Sequence, residues 1–346
     1  MMSTKICIYG AGAVGGYLAA GLADRDGVDL SVVARGQHLA AMQRDGLVLE
    51  IGGERRRVKL RATDDPAELG PQDYVIVALK AHQAWEAAPR MQPLLARNTS
   101  VVTCQNGVPW WYFHQHPGRF RDRRVASVDP GDRQWTAIGP ERAIGCVVYP
   151  ATEIVAPGVI RHHYGNKFPL GEPDGTVSER TVRLSQILEA GGFKAPVLED
   201  IRSEIWLKLW GNLCFNPISA LTRATLDVVA TDEDTRGLAR AMMLEAEAIA
   251  VRLGARLRVD VDRRIAGAAK VGAHRTSMLQ DLESGRAMEI DALVIAVQEL
   301  GRMVDVPTPS IDIVAGLVRQ LGRNHGLYPA AVPDRSSRTY GGATAA

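Results

Sequence analysis

In the segment Ile205-Trp-Leu-Lys-Leu-Trp-Gly-Asn-Leu-Cys-Phe-Asn-Pro217 a lysine and two asparagines stand four residues apart, at Lys208, Asn212 and Asn216. On an α-helix a step of four residues turns by about 400°, so the three side chains fall within an arc of about 80°. They make one polar stripe beside Ile205, Leu209 and Leu213, with Trp206 and Trp210 close by. A helix face turned to solvent more often carries Glu, Arg and Lys than two amides. Partial burial lowers a lysine's pKa and short amides orient its amine, which are the properties of a general acid. A second polar cluster runs through Ser277-Met-Leu-Gln-Asp281 to Gly285-Arg-Ala-Met-Glu-Ile-Asp291. Ser277 with Gln280 has capping-box spacing, and Glu289 and Asp291 enter the first turn of the next helix, where the dipole favours carboxylates. Structural roles therefore stand beside chemical ones for all three.

A proton donor of this kind needs a partner reaction, and the N-terminal half offers one. Residues 5–9 form a short apolar strand ending at Gly10-Ala-Gly-Ala-Val-Gly-Gly16, followed by the helical pattern Tyr17-Leu-Ala-Ala-Gly-Leu-Ala23 and a second strand at 29–34. Gly10, Gly12 and Gly15 in that context form a dinucleotide-binding turn: a tight turn, a close backbone approach to a pyrophosphate, and close helix packing. The helix N-terminus presents free N–H groups to the phosphate. An NAD site places Asp or Glu at the end of the second strand; here Ala34-Arg35-Gly36-Gln37 stands there, and the Arg35 fork suits a ribose 2′-phosphate. The expected cofactor is NADP(H).

Further strands at 74–79 and 100–104 end in Lys80-Ala-His-Gln83 and Gln105-Asn106-Gly107. Ligands bind along the C-terminal edge of an open α/β sheet, so Lys80, Gln83 and Asn106 are candidates for cofactor or substrate contacts. Lys80 reads equally as a solvated turn residue, and Asn-Gly is an ordinary turn dipeptide. Beyond Asn106 the stretch at about 108–140 reads as an insertion, opening with Trp110-Trp-Tyr-Phe113 followed at once by His114 and His116. This aromatic run fits a lid, an acyl pocket, a dimer contact or plain packing. The sheet resumes at 143–149, and a hairpin-like stretch from Pro157-Gly158 to Gly171 is expected to extend it.

From about Ile201 the pattern is helical, over 201–216, 232–254, 262–270, 288–304 and 310–322. The fold class is thus α/β, a Rossmann-type dinucleotide-binding domain over 1–198 followed by an all-helical domain over 199–328. Residues 329–346 have the composition of a disordered tail. Of the 346 residues, 41 are basic and 39 acidic, so no charge excess argues for nucleic acid or a membrane surface. No apolar run reaches the roughly 18 residues needed to span a bilayer, and the N-terminus lacks a signal peptide's apolar stretch. The cytoplasm follows as the default. The four cysteines, Cys7, Cys104, Cys146 and Cys214, are scattered in apolar runs without a C-x-x-C pair and read as reduced core thiols. The paired histidines, 114 with 116 and 162 with 163, lack a third ligand at fixed spacing, and no metal site is expected.

Taken in order, the glycine turn, Arg35, Leu79-Lys-Ala-His-Gln83, Gln105-Asn-Gly107, Trp206-Leu-Lys-Leu-Trp-Gly-Asn-Leu-Cys-Phe-Asn-Pro217 and Ser277 to Asp291 give a chain that resembles the ketopantoate reductase family nearly throughout. The resemblance implies NADPH-dependent reduction of a 2-oxo acid, ketopantoate (2-dehydropantoate) to pantoate, as in pantothenate biosynthesis. It implies catalytic roles for Lys208 and Glu289, and substrate contacts at Asn106, Asn212, Asn216 and Ser277. Cofactor contacts are implied at Gly10, Ala11, Gly12, Ala13, Val14, Gly15, Arg35, Lys80, Gln83, Asn106 and Glu289. The partner is then a small 2-oxo acid; helical domains of this kind often pair, which allows a homodimer. The insertion departs from the compact family pattern and puts the substrate in question. A hydroxyacid or opine-type dehydrogenase of the same plan and a non-enzymatic NADP(H) sensor are the alternatives. A sensor, however, has no use for both Lys208 and Glu289.

Overall fold

The computed structural model describes residues 3–330, so all but the first two residues of the tail expected over 329–346 lie outside it. In chain order the first part runs β1 (Thr4–Tyr9), α1 (Ala13–Leu22), β2 (Val28–Val33), α2 (Gly36–Asp45), β3 (Leu47–Ile51), β4 (Glu54–Val58), β5 (Arg61–Thr63) and β6 (Tyr74–Val77). It continues with α3 (Ala81–Ala87), β7 (Ser100–Thr103), α4 (Arg133–Ile138), β8 (Ala143–Cys146), β9 (Ala151–Ala156), β10 (Val159–Tyr164), β11 (Leu170–Gly171) and α5 (Glu179–Ala190). Seven strands form one sheet in the order β11-β8-β7-β6-β1-β2-β5, all parallel except β11. Its central strands are apolar on both faces because both are covered. Ile6, Ile8 and Ile76 belong to one core and Cys7, Tyr9, Val75 and Val77 to the other, as the twofold alternation of a strand requires.

The stretch from Pro157 to Gly171 departs from the expectation drawn above. Strands β9 and β10 pair antiparallel about Gly158, but β10 then pairs with β3, giving a separate four-stranded sheet, β4-β3-β10-β9. Only β11 joins the main sheet. The partner strand lies a hundred residues upstream, out of reach of a local pattern.

The second part is helical: α6 (Ile201–Thr222), α7 (Leu226–Thr231), α8 (Glu233–Arg252), α9 (Val261–Ala269), α10 (Ser277–Glu283), a π-helical turn (Asp291–Ile295), α11 (Ala296–Met303) and α12 (Pro309–Asn324). Helix α6 starts where the Asp200 carboxylate accepts the Ser203 N–H at 3.0 Å, and it ends at Arg223, whose φ of 61° is left-handed. It runs six residues past Asn216, through Pro217, because Phe215 to Ala220 are all buried and packing outweighs the lost ladder bond.

The Trp110–Phe113 run settles as packing rather than a lid. All four rings are at most 2% exposed. Trp206 Nε1 donates to the Tyr112 hydroxyl at 2.7 Å, the Arg202 guanidinium donates to the Tyr112 and His114 carbonyls, and His116 contacts the Leu253 carbonyl at 3.0 Å. The segment is thus stitched between the sheet and the helical part. Replacing Tyr112 by Phe leaves the buried Trp206 N–H without an acceptor, which costs about 1–3 kcal/mol. A chemical denaturation midpoint equal to that of the parent protein would show that the bond contributes nothing.

Candidate active site

The ends of β1, β2, β6, β7 and β8 all point to one edge, and the polar residues singled out by sequence follow directly on them. Lys208, on the third turn of α6, reaches this edge from the helical side. Its ammonium donates to Asn106 Oδ1 at 2.7 Å and to the carbonyl of Val148. Asn106 turns its amide the other way, Nδ2 donating to Glu289 Oε2 at 3.3 Å, while the backbone N–H of Ala81 donates to Glu289 Oε1 at 3.1 Å. Asn106 therefore connects the lysine to the carboxylate. The loop holding it is fixed by the bond from Val108 N to the Ala292 carbonyl at 3.0 Å. At Gly107, with φ of 90°, a Cβ would lie 2.3 Å from that same oxygen, so only glycine lets the two segments meet.

Burial sets the charges of this cluster. Removal from water pushes the Lys208 amine down to about 8, and the Glu289 carboxylate opposes that shift. Glu289 is itself pushed up by burial, against the pull of Lys80 and of the Ala81 and Asn106 bonds. At neutral pH the lysine is mostly an ammonium, yet it holds its proton far less tightly than a surface lysine. Tyr149 lies beside it, its ring centroid 6.0 Å from Nζ and its hydroxyl donating to Glu204 at 2.9 Å. A narrow cleft opens next to Asn106, walled by Gln105, Trp110, Trp111, Cys146 and Ile205.

The remaining stripe residues divide. The Asn216 amide is buried and donates to Ser277 Oγ at 3.3 Å, joining α6 to the exposed hydroxyl at the start of α10. Asn212, half-buried between them, makes no side-chain bond among the described residues. Ser277 is not the cap: Thr276 accepts the Leu279 N–H at 3.3 Å, one residue earlier than the capping-box spacing suggests, which leaves the Ser277 hydroxyl unused by the helix. Glu289 lies before the next helix rather than in its first turn. Lys80 pairs with the Asp281 carboxylate at 2.5 Å and donates to the Ala287 carbonyl at 2.8 Å. It clasps the nucleotide sheet to the helical part and keeps one donor free. Gln83 is half-buried in α3, with no side-chain bond among the described residues.

The glycine turn fits a dinucleotide. A Cβ on Gly12 meets nothing within 4 Å, so open space lies where a pyrophosphate approaches; one on Gly15 would sit 2.0 Å from the Gly10 carbonyl. No side chain caps α1, which leaves the N–H groups of its first turn, at Ala13 and Val14, for a phosphate. His38, unremarked in the sequence, holds the turn. It accepts the Gly158 N–H on Nδ1 at 2.9 Å, so Nε2 carries the proton and donates to the Ala11 carbonyl at 2.7 Å. Arg35, exposed just past β2, has no acidic partner among the described residues, as a 2′-phosphate ligand requires. The same residues contain no group of three or more His, Cys, Asp or Glu side chains that would hold a metal ion.

Sequence and structural relatives agree with this layout. The family model "Ketopantoate reductase PanE/ApbA" matches residues 6–175, and its C-terminal counterpart matches residues 200–322. A 2-dehydropantoate 2-reductase of Mesorhizobium japonicum is 59% identical over 324 residues, covering 94% of this chain and 99% of that protein. A crystal structure from Ralstonia solanacearum MolK2 is 44% identical with a TM-score of 0.90, covering 94% of this chain and 99% of the other. At 20% identity and a TM-score of 0.79, a D-mandelate dehydrogenase solved with NADH and anilino(oxo)acetate shares the fold, over 94% of this chain and 100% of its own. With both halves matched and a relative this close spanning nearly the whole length, the chain belongs to the ketopantoate reductase family.

Proposed function

We propose that this protein reduces 2-dehydropantoate to pantoate with NADPH. The observation that carries the reading is the Lys208 ammonium, held by Asn106 and Val148 at the C-terminal edge of the nucleotide sheet with Glu289 one side chain away. NADPH, when bound, supplies the hydride to the ketone carbon. Negative charge then develops on the ketone oxygen, and an ammonium beside it stabilises that charge and delivers the proton. A pKa near 8 makes Lys208 a readier donor than an ordinary lysine while keeping it charged at neutral pH. Glu289, held through Asn106 and the Ala81 N–H, is placed to accept a bond from the substrate hydroxyl. Ser277 and Asn216 take a carboxylate oxygen, and Asn212 stands between them and the lysine. The Gly10–Gly15 turn, Arg35, Lys80 and Gln83 hold the cofactor.

The aromatic insertion no longer argues for a different substrate, since three of its four rings are fully buried and only Trp110 and Trp111 border the cleft. A panel of 2-oxo acids with NADPH tests the reading. The kcat/KM for ketopantoate should exceed that for phenylglyoxylate by at least about 10²-fold, the discrimination expected when buried polar groups must be matched. Equal rates would favour a mandelate-type dehydrogenase. For the cofactor, Arg35→Ala should raise the KM for NADPH by about 10- to 100-fold, the loss of a charge-assisted bond, and leave that for NADH nearly unchanged. An unaltered NADPH KM would remove Arg35 from the site.

The reading includes a cytoplasmic location and a homodimer. No helix among the described residues is long and apolar enough to cross a membrane. Leu244 and Val251 on α8 and Ile313 and Leu317 on α12 are exposed apolar side chains one and two turns apart, of the kind that self-association covers. Sedimentation at the monomer mass throughout the micromolar range would remove the dimer.

A further inference from the structure

Two cysteines face each other behind the Lys208 cluster. Strands β7 and β8 are parallel with Thr103 opposite Gly145, so Cys104, which directly follows β7, and Cys146, the last residue of β8, come next in that register, and their side chains are in contact. Both belong to the same core cluster, both are 5% exposed, and Cys146 also walls the cleft beside Asn106. Neighbouring strands lie about 4.8 Å apart, inside the range of roughly 4.4–6.8 Å that a disulfide requires between Cα atoms. The two thiols interact: contact with Cys104 and then burial push the Cys146 thiol well up, and both sulfurs act electrostatically on the Lys208 amine. Cys7 and Cys214 have no such neighbour. Cys7 lies on β1, separated from β7 by β6, and Cys214 is buried in α6.

The position of the pair matters more than its proximity. The two acceptors that hold the Lys208 ammonium are Asn106 Oδ1 and the Val148 carbonyl, and each stands two residues downstream of one cysteine. A bond between the sulfurs would tie together the roots of both arms.

We infer that Cys104 and Cys146 form an oxidation-sensitive dithiol site, closed to a disulfide by small hydroperoxides entering through the cleft, and that closure displaces the two acceptors of Lys208. One thiol gives up its proton and its sulfur attacks the peroxide O–O bond. The S–O bond forms, the O–O bond breaks, and the leaving oxygen takes that proton and departs as water from hydrogen peroxide or as an alcohol from an alkyl hydroperoxide, leaving a sulfenic acid. The second sulfur attacks the sulfenic sulfur, the S–S bond forms as the S–O bond breaks, and the hydroxyl takes the second thiol's proton and leaves as water. The two sulfurs lose two electrons in all and the peroxide gains them. A cross-strand bond at the short end of the Cα range is strained and so readily reduced. The effect on turnover rests on the role given to Lys208 above; the dithiol itself does not.

Full-length protein, reduced and desalted, is exposed to hydrogen peroxide, quenched with an alkylating agent under denaturing conditions, and followed by intact mass, peptide mapping and kcat. The expected result is loss of two alkylatable thiols and of two hydrogens in mass, with Cys104 and Cys146 in one cross-linked peptide. Turnover should fall at least tenfold and return on adding dithiothreitol. Cys104→Ala and Cys146→Ala should each lose the cross-link and keep their turnover after peroxide. Four alkylatable thiols after treatment, or a cross-link that maps elsewhere, overturns the site. A mapped cross-link with full turnover, or inactivation that persists in both variants, overturns the displacement of Lys208's acceptors. The mass readout on the parent protein needs neither variant to fold and does not depend on Lys208, so a failure of the catalytic reading shows separately, as an active Lys208→Ala enzyme.

Discussion

Lys208→Ala should lower kcat by about 10³-fold or more, the combined loss of a charged donor at the developing oxyanion and of a general acid. Affinity for NADPH should stay within a few fold, because the residues that hold the cofactor stand on other elements. The variant is also expected to fold. A lysine pushed down to about 8 from its usual 10.5 costs the folded state stability at every pH below 8, and that cost fades as pH rises from 8 towards 10.5. Removing the side chain at neutral pH therefore removes a penalty along with two hydrogen bonds. The same shift fixes the sign of the pH profile. Reduction requires the ammonium, so kcat/KM should fall by about tenfold per unit above about pH 8. A variant with near-normal turnover and bound cofactor would sink the assignment of Lys208, and a parent profile still flat at pH 10 would sink the proposed acid.

Glu289 makes the profile more informative. Because burial raises its carboxyl pKa, a fall in rate on the acid side should appear above the ordinary carboxylate range, and Glu289→Gln should abolish that limb and move the basic limb to lower pH, since the carboxylate no longer opposes the depression of the Lys208 amine. Asn106 is the shared element. It uses its oxygen for the lysine and its amide for the carboxylate, so an aspartate there keeps the first bond and turns the second into repulsion.

What the sequence carries about this site depends on how local each signal is. The glycine turn between a strand and a helix, and three polar residues at a spacing of four, are local patterns, and the folded chain keeps both. The partners of Lys208 are another matter. Val148 contributes a backbone carbonyl, which no residue type announces. The Lys80 clasp depends on Asp281, two hundred residues away, and His38 holds the glycine turn through backbone atoms of Ala11 and Gly158. Thr276 and Ser277 are equivalent to a capping rule, and only the helix start shows that Thr276 is used, leaving the Ser277 hydroxyl for the site. Pro217 reads as a stop, but burial on every side carries α6 past it. The aromatic run is ambiguous for a related reason: its composition fits a pocket or a core, and the bonds from Trp206 and Arg202 that decide between them come from the next domain.

The glycine turn allows cofactor binding to be separated from folding. Gly12→Ala places a methyl where nothing lies within 4 Å, at a φ of −68° that alanine adopts freely. The variant should fold with a Tm within a few degrees of the parent. The same open space is where a pyrophosphate must approach the backbone, so affinity for NADPH should drop by about 100-fold or more, some 2.7 kcal/mol. Gly15→Ala acts on the other side of the turn. Its methyl would lie 2.0 Å from the Gly10 carbonyl, with Ile8 at 3.0 Å and Ala78 at 3.1 Å, so α1 must move off the sheet. That variant should lose both thermal stability and cofactor affinity. Calorimetric titration with NADPH and a thermal melt on the two proteins distinguish the roles. If Gly12→Ala bound NADPH like the parent, the pyrophosphate would not cross that position, and the dinucleotide site would have to be drawn elsewhere along the sheet edge.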